Sequence, residues 1–174
     1  MDAAEWTIAV LNALLGLGLG WPLTRLLART SRGAKGALRL YPAVVASYLV
    51  ECFAFSASMG TSIFSIAMAF VWGWVLGSRL RWTATAPAEV MRAVFYFALY
   101  SGLPAASFLS VPVLAALSGR HILSAEFGFQ FGIPEFVPWP FNTILGFCGA
   151  VVLVTVVLKV VITTRIARRL MSRK

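Results

Sequence analysis

The chain alternates long apolar runs with short polar joints, and the runs have the length of membrane helices. Crossing ~30 Å of hydrocarbon takes about 20 apolar residues in a helix. Residues 6–27 form the first such run, and a basic linker follows over 28–40. Residues 41–77 form the longest run, with Glu51 as their only charge. As one helix this stretch would measure about 55 Å, nearly twice the hydrocarbon thickness. It would also put Arg39 and Arg79 on opposite sides of the bilayer. The segment Ser58-Met59-Gly60-Thr61-Ser62 offers a turn near its middle. The pattern therefore predicts two helices, 41–59 and 61–77, with a re-entrant hairpin as the alternative.

A polar joint over 78–92 leads to a fourth run, 93–118. Thr85 suits a helix N-cap there, and Pro87 and Glu89 suit a first helical turn. A loop over 119–140 and a last run, 141–164, complete the pattern, and a basic tail occupies 165–174. The expectation is an all-α polytopic membrane protein, a single domain over 1–174 built as a five-span helix bundle.

Charge gives this arrangement a direction. Placing the N-terminus outside and the C-terminus in the cytoplasm collects all fifteen basic residues except Arg120 on the cytoplasmic side. Asp2, Glu5, Glu126 and Glu135 fall outside. Every loop then obeys the positive-inside rule, which four spans would break. Asp2 and Glu5 precede the first run and arginines follow it, the reverse of a secretory signal. The expected location is therefore a multi-pass protein of the cell (inner) membrane. Composition agrees: 60% of residues are hydrophobic and 12% charged, with mean hydropathy +0.85. Soluble domains carry roughly 25% charged residues. The net charge of +9 sits in blocks beside the apolar runs, which fits membrane orientation and anionic lipid headgroups and argues against nucleic acid.

Small residues recur at helical spacing and predict packing faces, because helices in lipid associate where backbones approach closely. The stripes are Ala9, Ala13, Gly16, Gly20; Ala43, Ser47, Ala54, Ser58; and Ser65, Ala69, Gly73, Gly77. Glu51 falls into the second, so it should point into the bundle or toward a partner, either a second copy or a larger membrane complex. Phe53, Phe64, Phe70 and Trp72 fall off the stripes, free to face lipid or fill gaps.

Few residues can carry chemistry. A carboxyl at membrane depth is costly and marks a functional site by default. Glu51 could be a proton or cation site, half of an ion pair, or a neutral acid bonded to Ser47, Ser56 or a backbone carbonyl. Lys159, six residues before Arg165, could snorkel to the interface along its four-carbon stem or bridge to Glu51. The fourth run holds Tyr100, Ser101, Gly102, Pro104, Ser107, Ser110 and Pro112. Its prolines remove helix hydrogen bonds and predict either a kinked, hydroxyl-lined wall of a cavity or a plain structural kink. In the 119–140 loop, the rings of Phe127, Phe129 and Phe131 suggest an interfacial belt or a lid, and His121 and Glu126 match no metal motif. Cys52 and Cys148 read as small buried apolar groups. No nucleophile–base pair, phosphate loop, metal set or cofactor motif is apparent, so no catalytic residue is assigned.

The expected function is a small membrane transporter or channel, or its membrane component, for an ion or small solute. Glu51 would titrate or bind, with Ser47, Tyr100, Ser101, Ser107 and Lys159 around it. The alternative is a non-catalytic subunit or assembly partner of a larger membrane complex.

Overall fold

The computed structural model describes residues 3–31, 36–57, 62–117 and 141–172. Five helices and no strands occur among them: α1 (Ala3–Thr30), α2 (Ala37–Ala57), α3 (Ile63–Leu80), α4 (Pro87–Leu117) and α5 (Phe141–Met171). Residues 58–61 of the expected 58–62 turn, the 119–140 loop with His121, Glu126 and Glu135, and the last two tail residues lie outside the described residues. The long run over 41–77 is two helices. Arg29, Arg79, Arg168 and Arg169 ride in the last turns of their helices, where a cation complements the carbonyl end of the helix dipole.

α1, α2, α3 and α5 are each long and apolar enough to cross a membrane. α4, at 31 residues, also has ample length. It continues as one helix through Pro104. Ala86, rather than Thr85, holds the position before its first turn: the Ala86 carbonyl accepts from Glu89 N–H at 3.0 Å and Val90 N–H at 3.2 Å. Pro87 then fills the first helical position, where its missing N–H costs nothing. Gly36 enters α2 at φ +85°, a left-handed conformation that an L side chain adopts only with strain.

The bundle is apolar on the outside and polar at its centre. No more than a third of the apolar stretch of any of the four spanning helices is buried. Phe53, Phe64, Phe70, Trp74 and Leu153 are all more than half exposed, a surface suited to lipid and not to water. α4 packs against all four other helices, and its most extensive seam is with α5, which also packs closely along α3. The predicted stripe Ser65, Ala69, Gly73, Gly77 is buried in full. It faces α5: a Cβ on Gly77 would come within 2.9 Å of Ala167 Cα, and one on Gly73 within 2.9 Å of Ile166 Cβ. The Thr163 hydroxyl donates across the same seam to the Ala69 carbonyl at 3.2 Å.

The other stripes are offset from the expectation. On α1, Gly16 and Gly20 are buried but Ala13 is exposed. On α2 the inward face is Val44, Ser47, Tyr48, Glu51 and Phe55, while Ala43 is exposed and Ala54 half-buried. The offset has a physical cause. Tyr48 enters this face because α1 supplies Gly16 opposite it, and its ring lies within 2.7 Å of where a Gly16 Cβ would be; Phe55 packs instead with Ala105, Leu109 and Cys148.

Candidate functional site: a buried glutamate–lysine pair joining four helices

α2 and α5 run antiparallel, and their side chains tilt toward their own N-termini. Counting from the arginines at the basic end, Glu51 lies twelve residues from Arg39, about 18 Å along its helix, and Lys159 six from Arg165, about 9 Å. Glu51 therefore leans back toward the basic end and Lys159 leans away from it, so the two heads converge at one level. Lys159 Nζ and Glu51 Oε2 are 2.5 Å apart, and both side chains are 0% exposed. The snorkelling expected of Lys159 does not occur. Reaching the interface would require its stem to bend against the tilt of its helix, and a carboxylate lies in the opposite direction.

Two neighbours on α3 and one on α4 complete the cluster. The Lys159 ammonium has three N–H donors and uses them on Glu51 Oε2, on Ser65 Oγ at 3.1 Å and on the Ser101 backbone carbonyl at 2.7 Å. The Ser65 hydroxyl donates to Glu51 Oε2 at 3.3 Å. The Trp72 indole N–H donates to Glu51 Oε1 at 2.5 Å. One carboxylate and one ammonium thus bind α2, α3, α4 and α5 together. A pair of opposite charges with its hydrogen-bonding positions filled is far less costly at membrane depth than either ion alone.

The remaining candidates fall into a neighbouring layer. Ser47 is buried one turn from Glu51, but its hydroxyl donates to its own helix at the Val44 carbonyl, 2.7 Å away. Ser101 donates its hydroxyl to the Ala98 carbonyl at 3.0 Å and enters the site through its backbone oxygen. The Tyr100 hydroxyl donates to the Gly16 carbonyl of α1 at 2.7 Å. Ser107 hydrogen-bonds the Tyr48 hydroxyl, which also donates to Asn12 Oδ1. Asn12 in turn donates to Cys52 Sγ at 3.6 Å, so Cys52 has a polar partner as well as apolar surroundings. Cys148 packs with Phe55, Ala105 and Leu109. This second layer fastens α1 to α2 and α4.

Sequence reasoning missed Trp72 and the pairing of Ser65. A signal existed: the two residues are seven apart, two helical turns on one face, and a buried indole N–H needs an acceptor. A cavity of about 370 Å³ runs between the basic ends of α2 and α3, lined by Ser47, Trp72, Arg79 and Phe97 among others. Trp72 stands edge-on to Phe97, ring centroids 5.4 Å apart. Its ring is therefore wall to the cavity while its N–H holds Glu51. Trp72→Phe is expected to lower stability by about 1.5–3 kcal/mol, the range for a hydrogen bond to a charged group. Trp74→Phe, at a position facing outward and 61% exposed, should stay within about 0.5 kcal/mol of the parent. Unfolding in detergent micelles measures both, and equal effects would deny Trp72 its role. Among the described residues no group of three or more His, Cys, Asp or Glu could hold a metal ion. Compared with family models, curated proteins and solved structures, the chain has no match.

Proposed function

We propose that the chain is a small multi-pass transporter or channel component for an ion or small solute, with the Glu51–Lys159 pair as its switch. The observation that carries this reading is a sealed ion pair between two helices long and apolar enough to cross a membrane, with the Trp72 side chain between it and a 370 Å³ cavity. Such a pair can respond to a proton or cation. Protonating Glu51 removes the partner of Lys159, and a cation competing for the carboxylate does the same. Either event loosens four helices at one point and leaves Trp72 without its acceptor. On this reading the sealed pair corresponds to the closed state.

The direction follows from charge. With α4 as the fifth span, the N-terminus is outside and the C-terminus is in the cytoplasm, and the arginines of every described helix end then lie on the inner-membrane side. A second reading, a non-catalytic subunit of a larger membrane complex, draws on a different observation. The Lys159 donors are all engaged, as suits a fastening that never opens.

Reconstitution in liposomes separates the two readings. Proton and solute flux under a pH gradient is measured for the parent, Glu51→Gln and Glu51→Gln/Lys159→Met. The switch reading expects both variants to lose at least about tenfold in flux, which corresponds to ~1.4 kcal/mol, while the double variant remains folded. Parental flux in a folded double variant defeats it, and co-purification of a stable partner then supports the subunit reading.

A further inference from the structure

A second cavity, more polar than the first, opens on the flank of the bundle, between α4 and α5 at their basic ends. It measures about 470 Å³, and its lining includes Met91, Arg92, Phe95, Tyr96, Thr164 and Arg168. Two arginines from different helices thus face one space. Among the described residues neither has a carboxylate partner. Glu89 lies on α4 one turn before Arg92 and makes no ion pair with it. Arg92 instead rests over the Tyr96 ring, 5.7 Å from its centroid. That contact holds the guanidinium on the cavity side of α4. Arg168 also borders an adjoining cavity that Arg81 and Thr83 line, so positive charge extends around the same helix ends.

Next to these cations the wall turns apolar and faces outward. Phe95 is 42% and Tyr96 43% exposed, and Val157 and Leu158 continue an exposed apolar strip along α5. A site with two guanidiniums and hydroxyls at one end and an outward apolar wall at the other matches a phosphate joined to an acyl chain. Guanidinium forks bind phosphate oxygens in pairs, and basic pockets between membrane helices accept anionic headgroups.

We propose that this groove binds one anionic phospholipid, its phosphate between Arg92 and Arg168 and a chain along Phe95 and Val157. This goes beyond a general attraction of the basic tail to the membrane surface, because it assigns the phosphate to two arginines and leaves Arg165 and Arg169 outside the site. It rests on the bundle lying in a bilayer and is independent of any switching by Glu51. Flux and lipid retention are separate measurements, so either can fail alone.

The test is lipid retention by the full-length protein, taken from nanodiscs of phosphatidylglycerol mixed with phosphatidylcholine and read by native mass spectrometry. The parent should keep one phosphatidylglycerol in preference to phosphatidylcholine. Arg92→Gln/Arg168→Gln should lower that preference about tenfold or more. Arg165→Gln/Arg169→Gln, which changes the charge equally, should leave it within about twofold. All four arginines are on the surface, and Arg92→Lys/Arg168→Lys provides a charge-preserving variant that should keep partial preference. Equal loss in both glutamine pairs would show diffuse attraction and overturn the site. Displacement of the lipid by millimolar inorganic phosphate would make it a free-anion site instead, and absence of any preference in the parent would also refute it.

Discussion

Lys159→Met should destabilise the folded chain by about 3–5 kcal/mol, the usual consequence of leaving one member of a buried ion pair without its partner. Methionine approximates the volume and flexibility of the lysine stem, so the loss is electrostatic and not a cavity. Glu51 would keep Trp72 and Ser65 as donors, but nothing would balance its charge at a site that is 0% exposed. Adding Glu51→Gln to the same chain should recover most of the loss. A glutamine oxygen still accepts from the indole, and replacing both members of a buried pair by neutral groups is often close to neutral. The double-mutant cycle, measured by unfolding in detergent, is expected to show a coupling of about 3 kcal/mol or more between the positions, because either single variant strands a buried partner and the double variant does not. Additive effects would mean that the two side chains do not share a site. Beside the switching proposed for it, conformational specificity is a use open to a pair whose double removal is nearly harmless to stability. In lipid, apolar contact alone does not tell one helix from another. A single lysine that must meet a carboxylate on α2, a hydroxyl on α3 and a carbonyl on α4 selects one register for three seams at once.

The sequence made one half of this centre plain and concealed the other. Glu51 was visible because no other charge interrupts 41–77, and the α3 stripe was visible because its small residues recur every four positions. Lys159 was ambiguous for a reason of scale. Six residues from Arg165, it is near enough to the interface to snorkel, and only the placement of α2 against α5 shows that a carboxylate lies at the level its stem reaches. Trp72 was obscured because a large aromatic in a membrane helix is ordinarily lipid-facing, and Trp74, two residues on, is. Tyr48 turned inward against the small-residue pattern because Gly16 on the facing helix leaves room for its ring. That property belongs to a pair of helices, and a single helix does not display it. Tyr100 illustrates the same limit. Its hydroxyl was legible as one that could line a cavity, but its partner, the Gly16 carbonyl, lies 84 residues away.

The α3–α5 seam should be the part of the bundle least tolerant of added volume. Gly77→Ala is expected to lower stability by about 1–3 kcal/mol, the range for overpacking a close contact. The added methyl would lie 2.9 Å from Ala167 Cα and 3.0 Å from Leu170 Cβ. The first of these is backbone, so no rotamer change relieves it, and α5 as a whole must move outward. That movement acts at a distance. Lys159 lies on the same helix two turns above Ala167, and a shift of a few tenths of an ångström lengthens its bonds to Ser65 and the Ser101 carbonyl. Gly18→Ala and Gly146→Ala serve as controls, because nothing lies within 4 Å of either new methyl. Alanine replaces glycine in a helix with a gain of up to about 1 kcal/mol, so the controls should be neutral or slightly stabilising. Unfolding in detergent gives all three values. If Gly77→Ala matches the controls, the seam is looser than its geometry states. If Gly77→Ala is destabilising and also diminishes the Glu51–Lys159 coupling, the glycine seam is what holds the ion pair at its working distance.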